Sequence, residues 1–381
     1  MDKVRLGIIG IGGMGTDHAR RVQAGQVPRC ELAAVCDINP ERLKAFPGVR
    51  GFEDSAELIR SGLVDAVLVA TPHYGHTTIG ADALQNGLHT LVEKPISVHK
   101  ADAERLIAAH TDRRVVFAAM FNQRTDPNYR KIRQLVADGE LGQIRRTHWI
   151  ITNWFRTEAY YRSGGWRATW AGEGGGVLLN QCPHNLDLFQ WICGMPAAVT
   201  AVGALGKYHD IEVEDDITAI YEYPGGATGV FVASTGEAPG TNRLEIVGDR
   251  GRLTFEDGKL RFVRNEVPTD AYCRTSPERF GKPAVWNVEI PVSGSGEQHL
   301  GIKKNFVAAI LDGAPLIAPA EEGIRSVELA NAMLYSAMTG RRVELPLDAK
   351  LFEAHLRKLI AESAFVKKTD QSANLSLKNS F

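Results

Sequence analysis

Three glycines spaced as Gly-x-Gly-x-x-Gly near the amino terminus constrain the fold of this chain more than any other feature. Gly10, Gly12 and Gly15 follow an apolar run at residues 4–9 and precede a stretch with helical periodicity. In such a strand–turn–helix unit the first glycine makes a tight turn, the second lets the backbone approach a pyrophosphate, and the third allows close helix packing. The pattern predicts a dinucleotide-binding turn.

Apolar runs alternate with helical segments through the first third of the chain. The continuously apolar runs lie at residues 4–9, 32–36, 64–70, 90–92 and 115–120. Strands of this kind, separated by helices, belong to a parallel sheet that is covered on both faces. Residues 1–122 are therefore predicted to form a doubly wound α/β domain.

After residue 122 the pattern changes to β-like runs joined by hairpin signals such as Pro224-Gly225-Gly226. Residues 123–366 are predicted to form an α+β domain with a large open, mostly antiparallel sheet. One face of that sheet must be covered by helices or by a second subunit, and we predict a homo-oligomer, a dimer or tetramer, formed through it. The polar segment 367–381 is predicted to be disordered.

The charge balance excludes several classes of partner. With 44 Lys and Arg against 45 Asp and Glu, the formal net charge is -1, which does not fit a protein that binds nucleic acid or anionic lipid. No run of about 20 apolar residues occurs, and we expect a cytoplasmic protein with no membrane partner. Five cysteines without a CxxC pair indicate reduced thiols. The histidines show no HxxxH pair with a third ligand, so no metal site is predicted.

Asp37 ends the second apolar run, 22 residues after Gly15. A carboxylate at this place can accept both ribose hydroxyls of an adenosine and repels a 2′-phosphate. The sequence therefore favours NAD over NADP. Arg42, five residues further on, leaves NADP as the less favoured option, although it is equally consistent with a solvated helix residue.

Lys94 stands at the end of the apolar run 90–92, between Glu93 and Pro95. In open parallel sheets the ligand lies beyond the carboxyl ends of the strands, so Lys94 and the segment 70–76 should face the same crevice as the glycine turn. A lysine in this position is either a surface charge or a group aimed at the reacting carbon, and its place at the strand end favours the second interpretation.

A third polar cluster follows the glycine triplet at residues 174–176. If residues 180–193 are helical, Asn180, His184 and Asp187 lie on one face, at i, i+4 and i+7. A polar stripe on an apolar helix needs partners, either a substrate or other side chains. For Asp187 a buried salt bridge or a capping role is as consistent with the sequence as catalysis.

These segments together resemble the Gfo/Idh/MocA family, named after glucose–fructose oxidoreductase, inositol dehydrogenase and a rhizopine-catabolism protein. The resemblance spans nearly the whole chain, and Glu93-Lys94-Pro95 after a nucleotide-binding pattern is its most specific part. It implies a Rossmann domain followed by a domain whose open sheet is used for assembly, with Lys94 and His184 as catalytic residues. The cofactor-binding residues that we infer are Gly10, Gly12, Gly13, Met14, Gly15, Asp37, Thr71, Pro72, His73, His76, Glu93, Lys94 and Asn122.

The sequence departs from the family pattern at two places. His73 stands where an asparagine often follows Thr-Pro, and Asn180 stands where the family usually has an aspartate, four residues before the histidine. An asparagine cannot take up a proton but can orient a hydroxyl group. Any mechanism that needs a carboxylate at position 180 is therefore in doubt.

The aromatic and arginine-rich segment before the glycine triplet suggests the substrate. Tyr161, Trp166 and Arg167 suit a pyranose, because aromatic rings cover its apolar faces and a guanidinium binds vicinal hydroxyls. The same residues are equally consistent with a core or an interface. By its resemblance to the sugar and glycoside branch of the family, the chain is expected to bind a carbohydrate or polyol through Lys94, Arg124, Tyr161, Trp166, Arg167, Asn180 and His184.

The resulting hypothesis is a dehydrogenase that moves hydride between a secondary alcohol and NAD. His184 would be the base, Lys94 the cation and proton relay, and Asn180 with Arg167 would orient the sugar. Two alternatives stay open: a net reductase or a glycoside-processing enzyme in which bound NAD is recycled through a 3-keto intermediate, and a non-catalytic NAD-sensing protein.

Overall fold

A six-stranded parallel sheet is built by the first part of the chain in the computed structural model, which describes residues 2–370. Its strand order is β3-β2-β1-β4-β5-β6, with every neighbouring pair parallel. The elements in chain order are β1 Val4–Ile9, α1 Gly13–Gln23, β2 Cys30–Cys36, α2 Pro40–Leu43, β3 Arg50–Phe52, α3 Ser55–Arg60, β4 Ala66–Val69, α4 His73–Gln85, β5 His89–Val92, α5 Lys100–Ala108 and β6 Phe117–Ala119.

This sheet is buried because its central strands are apolar on both faces. All four residues of β4 are buried, and so are Leu91 and Val92 of β5. The chain order reverses between β1 and β4, which are neighbours in the sheet. At such a reversal the loops after the strands separate and leave a crevice for a ligand. The predicted doubly wound sheet is confirmed.

A mixed sheet of nine strands follows, in the order β14-β13-β12-β11-β7-β10-β9-β8-β15. Only the pair β7 and β10 is parallel among the neighbouring strands of residues 2–370, so the mostly antiparallel character is confirmed. The elements are α6 Pro127–Ala137, β7 Ile144–Ile151, α7 Glu158–Arg162, α8 Pro183–Cys193, β8 Ala198–Leu205, β9 Glu214–Glu222, β10 Thr228–Ser234, β11 Asn242–Gly248, β12 Gly251–Glu256, β13 Lys259–Asn265, α9 Thr269–Thr275, β14 Val285–Glu289, α10 Gln298–Asp312, α11 Gly323–Thr339, β15 Val343–Glu344 and α12 Ala349–Glu362.

The two faces of the second sheet differ in burial. One face is buried against α8 and α11, around Trp149, Phe189 and Phe231. On the strands β8 and β9 the alternate positions are exposed, and they include Val202, which is 76% exposed, and Ile220. Because side chains alternate along a strand, one apolar row enters the core while the other is left on the open face.

The carboxyl-terminal part of the chain returns to the first sheet. Phe306 and Val307 of α10 are buried in the same apolar cluster as Ile8 of β1. The domain boundary at residue 122 stays a prediction, and α10 joins the first core. Of the predicted disordered tail, residues 371–381 lie outside the described residues, whereas Asp370 donates its backbone N–H to the Arg162 carbonyl oxygen at 3.0 Å.

Within residues 2–370, no helix combines the length and the apolar character that a membrane span requires.

Candidate active site

The glycine loop joins β1 to α1 and is shaped by close backbone contacts. Gly10 has a φ of +93°, and a Cβ there would lie 2.7 Å from backbone atoms of Ala70 and Thr71. A Cβ on Gly15 would lie 1.8 Å from the Gly10 carbonyl oxygen, so α1 can pack this closely only on glycine. Gly12 has open space where a side chain would project, and α1 has no side-chain cap. The loop therefore offers room and backbone donors to an anionic group.

Asp37 is buried directly after β2 and is tied to this loop. Its Oδ2 accepts a hydrogen bond of 2.8 Å from the Ile11 N–H, and its Oδ1 accepts one of 2.9 Å from the Asn39 N–H. Arg42, the sequence feature that kept NADP open, lies 3.2 Å from the same carboxylate and is half-exposed. The remaining lone pairs of Asp37 suit ribose hydroxyls, and its charge disfavours a 2′-phosphate.

The sequence pattern predicts a helix over residues 77–86, but α4 starts four residues earlier, at His73. Pro72 takes the N-cap position and His73 is the first helical residue, so that His73 and His76 lie in the first turn rather than in a loop. The predicted start at Thr77 is wrong. Pro72 disfavours helical backbone at Thr71 and fixes its own φ, so that the helix can begin directly after the proline.

His73 and His76 are held by carbonyl groups of neighbouring loops. The ring nitrogens of His76 lie 2.7 Å from the Pro95 carbonyl oxygen and 2.8 Å from the Thr71 carbonyl oxygen, and His73 Nδ1 lies 3.2 Å from the Glu173 carbonyl oxygen. Burial lowers the pKa of both histidines. They brace the loops around the crevice, while the buried Thr71 hydroxyl has no hydrogen-bond partner within residues 2–370.

Glu93 belongs to a buried polar network that the sequence analysis did not find. Its Oε1 lies 2.8 Å from Nε2 of His18, and the His18 Nδ1 lies 3.2 Å from Nζ of Lys303 on α10. Burial opposes ionisation of Glu93, but the hydrogen bond and charge of His18 outweigh it and hold the pKa of Glu93 well below its usual range. Burial also lowers the pKa of Lys303, to about 8. The one sequence signal for this network was a histidine on the buried side of α1.

Lys94 connects the loop after β5 to the segment before α8. Its Nζ donates a hydrogen bond of 2.8 Å to the backbone carbonyl oxygen of Asn180. Burial lowers the pKa of Lys94, and the negative charges of Glu93 and Glu173 act in the opposite direction. Two segments 86 residues apart in sequence thus meet at an ammonium group.

The predicted helix over residues 180–193 is wrong in its first turn. Helix α8 begins at Pro183, so Asn180 lies in the preceding turn and does not share a helical face with His184 and Asp187. Proline favours the first helical position because its φ is fixed and it has no N–H group to satisfy. Asn180 nevertheless stays in the site, through its contact with Lys94.

His184 lies in the first turn of α8, is 3% exposed, and has an unusual environment. Neither ring nitrogen has a hydrogen-bond partner within residues 2–370. Burial and the positive charge of Lys94 lower the pKa of His184 well below 6.5, so the ring is neutral at pH 7. A buried neutral imidazole with free nitrogens can accept a proton from a bound hydroxyl group.

The aromatic and arginine-rich segment before the glycine triplet, residues 160–170, is called the aromatic loop below. It contacts Asn180 through Tyr160. The Tyr160 hydroxyl donates a hydrogen bond of 3.2 Å to Oδ1 of Asn180 and accepts one of 2.9 Å from Arg167. The Arg167 guanidinium lies 4.7 Å from the ring centres of both Tyr160 and Trp166, and the Trp166 ring lies 5.3 Å from the ring of His73. Trp166 and Arg167 therefore border the crevice as predicted substrate residues, and these roles stay a prediction.

Two predicted substrate residues are placed elsewhere. Tyr161 is buried, and its hydroxyl lies 2.8 Å from Oγ1 of Thr235 in the core of the second sheet. Adjacent residues of a helix point about 100° apart, so α7 turns Tyr160, not Tyr161, toward Asn180. Tyr161 therefore lies in the core, and the neighbouring Tyr160 is the tyrosine that contacts Asn180.

Arg124 is also removed from the substrate set. It donates to both oxygens of Asp187, at 2.6 and 2.7 Å, and its Nη1 lies 2.5 Å from Glu322. The side chains of Arg124 and Asp187 are each 1% exposed. Because its guanidinium is paired and inaccessible, Arg124 fixes α8 rather than a ligand. For Asp187, the salt-bridge interpretation is the one that the contacts support.

The side chains that lack partners fit a dinucleotide in the crevice. Besides the free space at Gly12 and the hydroxyl of Thr71, Oδ1 of Asn122 is buried without a partner in the described chain, while its Nδ2 donates to Gln298. These groups, together with Asp37, lie after the strands of the first sheet. No three His, Cys, Asp or Glu side chains of residues 2–370 form a group that could hold a metal ion.

The chain matches known families over both of its sheets. Residues 4–121 match the oxidoreductase family with an NAD-binding Rossmann fold, GFO_IDH_MocA, and residues 129–254 match the GFO/IDH/MocA C-terminal domain. The resemblance inferred from the sequence is thereby confirmed, and so is NAD as the cofactor of the family.

Similar proteins of known name cover the chain almost completely. A myo-inositol 2-dehydrogenase of Thermotoga maritima is 28% identical over 90% of this chain and 98% of that enzyme. A levoglucosan dehydrogenase of Pseudarthrobacter phenanthrenivorans is 24% identical over 91% of this chain and 99% of that enzyme. The crystal structure of the WlbA dehydrogenase from Bordetella pertussis with NADH and UDP-GlcNAcA is 25% identical, with a TM-score of 0.76 over 91% of this chain and all of that one.

Proposed function

Because the chain belongs to the Gfo/Idh/MocA family of NAD-binding oxidoreductases, we propose that it is a dehydrogenase that oxidises a secondary hydroxyl group of a sugar, a glycoside or a cyclic polyol. The observation that carries this proposal is that Lys94 and His184 both lie at the start of α8. The Lys94 ammonium binds the turn that leads into α8, and its charge acts on the neutral His184 ring, whose nitrogens have no hydrogen-bond partner in the part of the chain that the structure describes.

The roles of these two residues follow from their charge states. NAD, when bound, supplies the acceptor for the hydride. His184 is neutral and takes the hydroxyl proton as general base, while Lys94 stabilises the oxygen on which negative charge develops. The substrate hydroxyl would supply the hydrogen-bond partner that the His184 nitrogens lack within residues 2–370. A protein that only senses NAD would have no need for this pair.

The substrate class is supported by the residues around this pair. The aromatic rings of Tyr160 and Trp166 both contact the guanidinium of Arg167, which lies 4.7 Å from each ring centre. Aromatic faces pack on the C–H faces of a sugar ring, and a guanidinium binds adjacent hydroxyls. The dehydrogenases that resemble the chain are named for myo-inositol and levoglucosan, a cyclic polyol and a sugar derivative, which belong to the proposed substrate class.

A substrate panel tests the function. The purified chain would be incubated with inositols, free hexoses and glycosides, each with NAD and with NADP, and the absorbance of the reduced cofactor would be followed. We expect at least one of these compounds to reduce NAD, with kcat/KM at least tenfold higher than with NADP because Asp37 repels a 2′-phosphate. Absence of reduction by the whole panel, with no 3-keto product and no NAD released on denaturation, would refute the proposal. A 3-keto product formed without net reduction of the cofactor would instead support the alternative of a glycoside-processing enzyme that recycles its bound NAD.

We further propose that the open face of the second sheet is a subunit interface. Val202, Leu205 and Ile220 are exposed on adjacent strands β8 and β9, and Ile150 of β7 is partly exposed. Contiguous exposed apolar groups on a sheet usually mark an interaction surface.

Light scattering of the protein at about 10 µM tests this interface, since an obligate interface of standard size holds at that concentration. A dimer or tetramer is expected, and Val202→Glu with Ile220→Glu should reduce its size, because each charge would be buried in the interface. Gln23→Glu with Gln26→Glu is the control, because it adds the same two negative charges at exposed positions at the end of α1, outside the second sheet. This control variant should keep the size of the unmodified protein. A monomeric unmodified protein would rule the interface out.

A further inference from the structure

Glu173 is a buried acid beside Asn180 to which the mechanism above gives no role. It is 2% exposed and precedes the glycine triplet. Its Oε1 accepts a hydrogen bond from Nδ2 of Asn180, and its Oε2 accepts one of 2.6 Å from the backbone N–H of Ala168. Within residues 2–370, Glu173 takes part in none of the ion pairs, although buried carboxylates are ordinarily paired.

The two partners of Glu173 determine which side chain this position needs. Both Asn180 Nδ2 and the Ala168 N–H are donors, so both oxygens at position 173 must accept. A glutamine could accept through one atom only, and its own amide N–H₂ would face the second donor. A protonated glutamic acid would offer its carbonyl oxygen to one donor, but only its hydroxyl oxygen, a weaker acceptor, to the other. The ionised carboxylate, with two full acceptor oxygens, satisfies both contacts best.

The same asparagine holds Lys94 on its other side. The Asn180 backbone oxygen accepts from the Lys94 Nζ at 2.8 Å, while its side-chain oxygen accepts from Tyr160 at 3.2 Å. Asn180 is thus held by the side chains of Glu173, Lys94 and Tyr160, and Gln181 also donates to its side-chain oxygen, at 3.4 Å. Any movement of its amide that followed loss of the Glu173 contact would be transmitted to the lysine that faces the substrate.

We propose that Glu173 is a positioning residue of this site, whose carboxylate clamps Asn180 in the conformation that holds the Lys94 ammonium and supplies the negative charge that an amide at position 180 lacks. The inference rests on the dehydrogenase function proposed above. Burial raises the pKa of Glu173, and the positive charges of Arg167 and Lys94, with the hydrogen bonds from Ala168 and Asn180, act against that rise.

The proposal has a consequence that a packing role would not have, because it adds a charge near Lys94. Removing that charge should make Lys94 lose its proton at a lower pH, since an opposite charge nearby favours the charged form. The other titratable or charged groups that interact electrostatically with Glu173 or Lys94 are Glu93, Arg156, Arg167, His73, His76, His184, His299, Tyr160, Tyr161, Cys182, Glu214 and Lys367. They are the same in all variants below, so the comparison isolates position 173.

The first experiment measures the titration of Lys94 in the protein without cofactor or substrate. Competitive acylation at a series of pH values, read by mass spectrometry of the Lys94 peptide, gives the midpoint. Glu173→Gln should lower it by about one pH unit. The exchange variant Glu173→Gln/Asn180→Asp places the amide at position 173 and the carboxylate at position 180, so that one negative charge is again present near Lys94. It should bring the Lys94 midpoint back to within about 0.3 pH unit of the unmodified protein.

Glu212→Gln is the matched control for this measurement. Glu212 also accepts a backbone N–H of the aromatic loop, that of Trp170 at 2.9 Å, but does not contact Asn180. We expect the Lys94 midpoint to be unchanged in this variant. An unchanged midpoint in Glu173→Gln, or an equal shift in Glu212→Gln, would overturn the proposal.

The second experiment compares kcat and KM on a substrate from the panel. Glu173→Gln should lower kcat about 10- to 100-fold with a smaller change in KM, because Lys94 acts on the reacting oxygen. The exchange variant should recover at least tenfold of that loss. A kcat that stays low in the exchange variant would show that Glu173 only fills space, and the proposal would fail.

A shorter acid keeps the test decisive if Glu173→Gln does not fold. Glu173→Asp retains the charge but withdraws the carboxylate from Asn180 by one methylene group. Glu173→Asp should leave the Lys94 midpoint within about 0.3 pH unit of that of the unmodified protein while lowering kcat about tenfold. An unchanged kcat in this variant would overturn the proposal that Glu173 positions Asn180. Since the acylation experiment needs neither NAD nor a sugar, its outcome is independent of whether the panel contains the true substrate.

Discussion

His184→Asn is expected to lower kcat by about 10²- to 10⁴-fold, the range of a lost general base, while the Kd for NAD changes less than about threefold. The asparagine keeps a polar group at the start of α8 but cannot take up the hydroxyl proton. Lys94→Met, which retains the length of the side chain without its charge, should cause a loss of similar size. Stopped-flow or steady-state rates with a panel substrate, and NAD titration by fluorescence quenching, measure the two effects separately.

The pH dependence distinguishes the roles of these two residues. Burial and the charge of Lys94 lower the pKa of His184, so the active neutral ring persists as the pH falls through 6.5, and kcat/KM should decrease only well below that value. Removing the charge in Lys94→Met lets the pKa of His184 rise, so the acid limb should move to higher pH. An acid limb at the same pH in both proteins would contradict the coupling.

His355→Asn is the control for the histidine substitution. His355 lies on α12, and its Nε2 is also buried without a partner among the described residues. This variant should keep the kcat of the unmodified protein, since α12 carries none of the proposed catalytic groups. Near-normal rates in both His184→Asn and Lys94→Met on the true substrate would show that the catalytic assignment is wrong.

Arg124→Met is expected to lower the free energy of unfolding by about 3–5 kcal/mol, because it leaves the carboxylate of Asp187 buried without its counter-charge. The bidentate contacts at 2.6 and 2.7 Å and the near-complete burial of both side chains place this pair between α8 and the helical turn of residues 122–125 that precedes α6. Urea unfolding followed by tryptophan fluorescence measures the loss.

Two comparisons show whether the loss comes from an unpaired charge. The double variant Arg124→Met/Asp187→Leu removes both charges and should recover a large part of the stability. Arg357→Met breaks the surface pair with Glu353, in which Arg357 is 74% exposed, and should cost less than about 1 kcal/mol. If Arg124→Met were no more destabilising than Arg357→Met, the buried pair would not have the importance given to it here.

The features that the sequence predicted well depend on neighbours in the chain. The glycine turn follows from Gly10 and Gly15, because a side chain at either position would collide with backbone nearby. The parallel sheet follows from apolar runs that alternate with helices, and the crevice follows from the rule that ligands bind beyond strand ends. Lys94 and Asp37 stand at such ends, so their positions could be inferred without knowledge of the tertiary structure.

The features that the sequence missed depend on residues far apart in the chain. His18 and Glu93 are separated by 75 positions, and no local pattern pairs them. Arg124 carries the residue type that binds a sugar, yet its partner Asp187 removes it from that role. Between Tyr160 and Tyr161, the choice depends on how the short helix α7 is rotated against the core, which its packing decides.

The sequence by itself determined the nucleotide-binding turn, the order of strands and helices in the first sheet, and the acids and lysine at the strand ends, because each is fixed by sterics or periodicity over a few residues. Only the tertiary structure decided three things: that a glutamate seven residues before Asn180 returns beside it, that the His184 ring has no hydrogen-bond partner among residues 2–370, and that Arg124 is paired with Asp187. Burial and charge pairing arise from the packing of distant segments, and these set the protonation states on which the chemistry depends.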